Sequence, residues 1–222
     1  MAAIHLILAS ASPRRRALVA LLGYPFTVVV SGADEDEHLS APPADYVRHT
    51  ARAKAEAVAA ALPPAPPATR RILIAADTTV ALEGAILGKP ATPDEARAML
   101  LALRGRDHDV FTAACVLSLD DGRRQEAVHH AVVTMRDYTP AEIDAYIATG
   151  DPLDKAGAYG IQHPFNPVAR LSGCYLGVMG LSLCDLLPLL RALDVGDRID
   201  PAALVDAHRG VLHTNVASAG EL

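Results

Sequence analysis

Ile4-His5-Leu6-Ile7-Leu8-Ala9 runs directly into Ser10-Ala11-Ser12-Pro13-Arg14-Arg15-Arg16, and this junction decides the fold. The first six residues read as a short apolar strand. Ser12 suits a helix N-cap and Pro13 the first helical position, where its missing N–H costs nothing; Leu18, Leu21 and Leu22 give that helix a buried stripe before Gly23 ends it. Free backbone N–H groups at such a helix start attract anions, and Arg14 and Arg15 in the first turn add charge. Cations there oppose the helix dipole and are mildly destabilising, so an anionic ligand is expected to offset them. The competing reading is a solvated basic turn on an ordinary helix.

Working outward, Phe26 to Val30 reads as a second strand, followed by the acidic loop Asp34-Glu35-Asp36-Glu37. Ala44 to Leu62 is a long helix carrying Arg48, Arg52 and Lys54, and the proline-rich stretch 63–67 is a stiff connecting loop. Ile72 to Ala76 is a continuous apolar run of the kind found in central strands, delivering Asp77-Thr78-Thr79 at its end. Gly84 and Gly88 bracket a hairpin-like segment. Thr92-Pro93-Asp94-Glu95 opens a helix reaching about Leu103. His108 to Leu119 and Gln125 to Met135 read as two strands joined through Asp120-Asp121-Gly122, and Thr139-Pro140 opens a helix ending near Gly150. A Gly-rich polar stretch, 154–162, precedes a final buried helix from Leu181 to Leu193. Strands and helices alternate imperfectly, which predicts a mixed α/β sheet with a cleft between two lobes. Residues 1–194 are expected to form one domain and 195–222 a loosely attached C-terminal tail.

With 222 residues and 51% hydrophobic content, the chain can bury a sizeable core. No apolar run approaches the ~18 residues of a membrane span, and Met1 to Ala9 lacks a basic leader, so a cytoplasmic protein without membrane partners is expected. Cys115, Cys174 and Cys184 are widely spaced and carry no metal-ligand pattern, and the nine histidines form no His/Cys cluster in sequence; neither disulfides nor zinc is expected. A net charge of −6 and 4% aromatic content argue against a nucleic-acid polymer as partner. Lysines and arginines gathered locally in an acidic protein fit a small polyanion better.

Asp77 is the sharpest candidate for chemistry, because ligand sites in α/β proteins gather at the carboxyl ends of strands. Glu35 offers a second carboxylate. Lys54, in an alanine-rich helix, and Lys89, held between Gly88 and Pro90, are the next candidate pair; each of these four also reads as an ordinary cap or surface charge. A phosphate-cradling G-x-x-x-x-G-K-[ST] motif is absent, and Ser10 and Ser12 lack the G-x-S-x-G elbow of a nucleophile. They read as phosphate ligands.

Six motifs in order, Leu8-Ala9-Ser10-Ala11-Ser12-Pro13-Arg14-Arg15, Asp34-Glu35, Ala53-Lys54-Ala55, Ala76-Asp77-Thr78, Leu87-Gly88-Lys89-Pro90 and Asp154-Lys155-Ala156-Gly157-Ala158-Tyr159-Gly160-Ile161-Gln162, resemble the Maf family of nucleotide pyrophosphatases. The resemblance covers about residues 4 to 193. The last motif is similar to the branch acting on dTTP and UTP rather than on 7-methyl-GTP. It implies an inosine-triphosphatase-like mixed α/β fold with two lobes and a central cleft, a homodimer, and hydrolysis of a nucleoside triphosphate to monophosphate and pyrophosphate with Mg²⁺ or Mn²⁺. By position it implies Asp77 as proton acceptor, and Arg14, Thr78 and Gln162 as the residues that set base preference. Ser10, Arg15, Glu35, Lys54 and Lys89 would line the phosphate and metal region, with Glu35 and Asp77 sufficient to hold the ion and Arg14 adding charge on the phosphate. The chain departs from the pattern at His163-Pro164, at Leu176-Gly177 and in its tail.

Two readings compete. A nucleotide-binding regulator without turnover would bind the same triphosphate, but it has no need of carboxylates beside phosphate. An aspartyl-phosphate phosphatase would need a second acid where Thr79 stands.

Overall fold

The computed structural model describes residues 3–33, 41–64, 66, 68–196 and 198–209, and the backbone of 219–221. Glu35 and its acidic neighbours lie outside the described residues. The elements are β1 (Ala3–Ala9), α1 (Pro13–Ala20), β2 (Phe26–Val28), α2 (Pro43–Ala61), β3 (Thr69–Leu82), β4 (Ala85–Leu87), α3 (Pro93–Leu103), β5 (Asp107–Ser118), β6 (Arg124–Met135), α4 (Pro140–Ile147), β7 (Val168–Ser172), α5 (Tyr175–Met179), α6 (Leu183–Ala192), α7 (Pro201–His208) and β8 (Ala219–Glu221). Two short 3-10 turns, Asp151–Asp154 and Ala156–Ala158, separate α4 from β7.

The strands make one mixed sheet in the order β7-β6-β5-β3-β1-β2-β8, with β4 also on β3. β1 runs parallel to β2 and β3, whereas each neighbouring pair in the series β3, β5, β6, β7 is antiparallel. Helix starts follow the capping chemistry of the sequence: Ser12, Thr92 and Thr139 each accept a backbone N–H at their N-terminus, and Thr139 with Glu142 closes a capping box.

β3 differs from expectation in a way that matters for the site. The polar run at Asp77 was expected to end the strand, but β3 continues to Leu82 because β5 keeps pairing with it, Asp77 opposite Ala113 and Ala81 opposite Asp109. Asp77 is therefore in mid-strand. The carboxyl end that matters belongs to β1, whose last registered pair with β3 is Ala9 with Ala75. On that edge the ladder stops at Ala75 and resumes at Val80, where β4 pairs through a tight turn at Glu83-Gly84. The gap between them opens beside Asp77 and the start of α1.

The sheet's two faces and its far end carry separate cores. Leu6, Leu8, Ile72 and Ile74 pack with α1, α5 and α6 on one face; Ile7, Ala9, Leu73 and Ala75 pack with α2 on the other. A third core, around Tyr138, Val133 and Leu100, joins the distal halves of β3, β5 and β6 to α3 and α4 and forms the second lobe.

Beyond residue 194 the chain touches the body of the protein at several described positions. Val195 and Ala207 are buried in the first core, Tyr24 donates a hydrogen bond to the Gly196 carbonyl at 3.0 Å, and β8 lies parallel to β2. α7 buries only Ala207 and is capped through Asp200, so it shows little apolar periodicity.

Gly157, in the middle of the second 3-10 turn, has φ +68°, and a Cβ added there would stand 2.9–3.0 Å from the Val80 side chain. Gly157→Ala is expected to cost about 2–3 kcal/mol of stability from left-handed strain plus overlap with Val80. Urea unfolding of the variant beside the wild type measures this; equal midpoints and slopes would show that the loop relaxes freely.

Candidate active site

Period-two geometry sends neighbouring residues of β3 to opposite faces. Asp77 follows Leu73 and Ala75 toward α2, where it meets Lys54; Thr78 follows Ile74 and Ala76 toward α1 and α5, where it meets Arg15. Lys54 Nζ donates to Asp77 Oδ1 at 2.7 Å with both side chains only 8% exposed. Such a pair balances two charges whose separate burial would be prohibitive.

Arg15 is the other hub. Its Nε donates to the Gly180 carbonyl at 2.8 Å, at the end of α5, and its guanidinium nitrogens donate to Thr78 Oγ1 at 3.1 Å and Ser10 Oγ at 3.4 Å. Thr78 Oγ1 lies 3.0 Å from Thr112 Oγ1, and Thr112 donates in turn to the Gly177 carbonyl at 2.8 Å. These contacts tie α1, β3, β5 and α5 together. Ser12 caps α1 by accepting from Arg15 N, and its own N–H donates to Ser10 Oγ at 3.2 Å.

Two cavities meet here. One, of about 660 Å³, is lined by Ser10, Ser12, Arg14, Arg15, Lys54, Asp77, Thr78, Thr79 and Lys89. The other, of about 350 Å³, shares Ser12, Arg14, Arg15, Thr78 and Lys89 and continues between Val80, Val110, Tyr159, Gln162, Val178 and Met179. The first sets four cations and the carboxylates Asp77 and Asp154 among apolar wall residues; the second has an apolar body with a carboxamide and a phenol and is rimmed by Asp151, Asp154 and Lys155. All the candidate residues except Glu35, which lies outside the described residues, are thus brought to one continuous cleft.

The loop closing the second cavity is held by a polar cluster the sequence reading passed over. Lys155 Nζ donates to Asp151 Oδ1 at 2.8 Å and to Asp154 Oδ1 at 2.5 Å, while Tyr146 donates to Asp151 Oδ2 at 2.7 Å and accepts from Gly160 N. Burial opposes ionisation of Asp151, but the hydrogen bonds from Lys155 and Tyr146 hold its carboxyl below the ordinary value. Gln162 sits beside Tyr175: burial pushes that phenol up, and a hydrogen bond with Gln162 pulls it back. Thr112, Gly177 and Gly180 were also missed. A strand threonine and two glycines carry no motif, and their role comes only from the partners the fold supplies.

The chain matches the family model described as Maf-like protein over residues 5–193. It belongs to the Maf family. Among its relatives, a "dTTP/UTP pyrophosphatase" of Moorella thermoacetica is 48% identical over 199 residues, covering 87% of this chain and 98% of that protein. Proteins of the same name from Salinibacter ruber and Dehalococcoides mccartyi are 46% and 40% identical, covering 84% and 85% of this chain and 90% and 82% of theirs. Within the described residues no helix is long and apolar enough to cross a membrane.

Beneath the second cavity, His108 is buried with Nε2 2.8 Å from the Tyr159 hydroxyl, and among the described residues its Nδ1 has no partner. Burial pushes His108 down to about 4. The folded ring is therefore neutral where the unfolded one, near 6.5, takes up a proton, so stability falls as pH drops from about 6.5 toward 4. His108→Gln keeps a partner for Tyr159 without titrating. It is expected to shrink the stability difference between pH 7 and pH 5 by about 2 kcal/mol, read by urea unfolding at both pH values; an unchanged difference would remove His108 as the titrating group.

Proposed function

We propose that this Maf-family chain hydrolyses dTTP and UTP to the nucleoside monophosphate and pyrophosphate. The observation that carries the reading is the meeting of the two cavities at Arg14, Arg15, Thr78 and Lys89, with Asp77 on the polar side. The triphosphate fills the cationic cavity and the base the apolar one. A triphosphate carries about four negative charges, which Arg14, Arg15, Lys54, Lys89 and the α1 helix start are placed to oppose. Names of relatives covering almost the same length support the substrate class.

Asp77 accepts the proton of the attacking water. The water oxygen forms a bond to the α-phosphorus, the bond from that phosphorus to the α,β-bridging oxygen breaks, and pyrophosphate leaves. Lys54, already paired with Asp77, fixes the carboxylate's direction and faces the phosphates. A buried carboxylate in a wall of hydroxyls, beside the ligand's own phosphate oxygens, is the all-oxygen donor set that suits Mg²⁺ or Mn²⁺. Asp77, with Glu35 as the second carboxylate, would hold such an ion, which supplies charge neutralisation on the phosphates.

Base choice rests on Gln162, with Arg14 and Thr78 at the junction. The carboxamide places a donor and an acceptor side by side, matching the O4 and N3–H edge of uracil or thymine, but flipped it matches cytosine equally. Discrimination against cytosine therefore comes from the fixed neighbours, whose polar groups a wrong base leaves unpaired. The chain acts in the cytoplasm as a homodimer on a small nucleotide, not on nucleic acid or membrane, with residues 1–194 as the catalytic unit and 195–222 as an appended segment.

Pyrophosphate release from UTP, dTTP, CTP, GTP and 7-methyl-GTP with Mg²⁺ or Mn²⁺ tests the reading. UTP and dTTP are expected to lead, and chelation to stop turnover. Nucleotide binding without release in any of these mixtures would instead favour a regulator. Asp77→Asn is expected to lower kcat by ~10²–10⁴-fold or more while nucleotide still binds; wild-type turnover would dismiss Asp77. Gln162→Ala should compress the preference for UTP over CTP and GTP more than it slows UTP itself, and an unaltered ranking would exclude Gln162 from base selection.

A further inference from the structure

Outside the lining of the two cavities, the fold gathers three residues that the sequence scatters. Cys174 stands at the N-cap of α5, Cys184 in the first turn of α6 and His208 at the last residue of α7. Their ligand atoms lie within 4.8 Å of one another. Cys174 Sγ and Cys184 Sγ are 4.0 Å apart, and His208 Nε2 is 3.5 Å from the first and 3.3 Å from the second.

We propose that Cys174, Cys184 and His208 form a zinc site that clasps α7 onto the body of the protein. Zinc bonds of about 2.3 Å to sulfur and 2.0–2.1 Å to nitrogen, set tetrahedrally, require edges of about 3.8 Å between sulfurs and about 3.6 Å from sulfur to nitrogen. All three observed edges lie within a few tenths of an ångström of those lengths.

The tautomer is fixed as a ligand needs it. His208 Nδ1 is 2.8 Å from the Leu204 carbonyl, which can only accept, so Nδ1 carries the proton and donates, and the Nε2 lone pair points at the two sulfurs. A second imidazole braces the first cysteine from behind: Cys174 N donates to His129 Nε2 at 2.9 Å, and His129 Nδ1 in turn donates to Asp185 Oδ2 at 3.0 Å, beside Cys184. The starts of α5 and α6 are thereby held in register. Two thiolates and an imidazole make a soft donor set that selects Zn²⁺ over the Mg²⁺ or Mn²⁺ proposed for the cleft. Cys184 is exposed, so water completes the fourth position from the solvent side. Binding releases the two thiol protons to solvent, and because α7 must be in place to supply His208, the affinity for zinc also stabilises the docked segment.

The test uses the full chain, purified under reducing conditions, stripped with chelator and reloaded with Zn²⁺ alone. One zinc per chain is expected to survive dialysis, and Co²⁺ in its place should give the near-ultraviolet thiolate charge-transfer band and visible bands of a tetrahedral site. Cys184→Ser and His208→Gln should each weaken zinc affinity at least about 100-fold and restore protease cleavage in α7, while Cys115→Ser, at a buried cysteine outside the cluster, retains the metal. A wild type that holds no zinc in the reduced state, including one whose Cys174 and Cys184 simply oxidise to a disulfide, overturns the proposal. So does stoichiometric zinc in both cluster variants. Metal content, Co²⁺ spectra and α7 cleavage are read without nucleotide, so the outcome stands apart from that of the pyrophosphatase assay.

Discussion

The ion pair between Lys54 and Asp77 is the contact on which the active cleft depends. A carboxylate this deeply buried beside a strand of alanine, isoleucine and leucine is tolerable only with a cation in place, and α2 delivers that cation from the face toward which Asp77 points. The pairing does two things at once. It allows the central strand to run on past β1 with a charged residue inside it, and it places an acid where the β1 edge of the ladder has opened. A site built at the carboxyl end of a strand is usual in α/β proteins; here the strand that ends and the strand that carries the acid are different ones.

Arg15 performs the complementary task on the opposite face. Its hydrogen bonds to Gly180, Ser10 and Thr78 fix the serine loop after β1, the Thr78 hydroxyl and the last turn of α5 relative to one another. The guanidinium is rigid and planar, so its donors leave from separate nitrogens in fixed directions, whereas a lysine's all leave from one rotating atom. The two cavities share Arg15 and Thr78, and their spacing is consequently built into the packing of α1 against β3 and α5.

Much of this was legible in the residues. Ser12 and Pro13 announced α1, and Thr92 and Thr139 announced α3 and α4, because capping is local chemistry that a few adjacent residues carry entirely. The mixed sheet and its cleft followed from the alternation of apolar runs. The length of β3 was not legible, because Asp77, Thr78 and Thr79 look like the end of a strand until β5 is known to lie beside them. Likewise Thr112 and the carbonyls of Gly177 and Gly180 act through partners more than 60 residues away in sequence. The meeting of Cys174, Cys184 and His208 is illegible for the same reason: spacing within a motif reports neighbours along the chain, and their proximity is produced by three helix ends converging in space.

That convergence bears on the cleft through α5. This helix of five residues is anchored at its start by Cys174, where His129 and the sulfur cluster hold it, and at its end by Gly180, where Arg15 holds it. Between them Leu176 is buried in the first core, while Val178 and Met179 line the smaller cavity. A segment so short has little helical stability of its own, since nucleation is costly and few internal hydrogen bonds repay it. Its position is set by what grips its two ends. The wall that α5 gives to the smaller cavity is therefore as rigid as those anchors, and a metal bound at Cys174 as proposed would stiffen it from its N-terminal end.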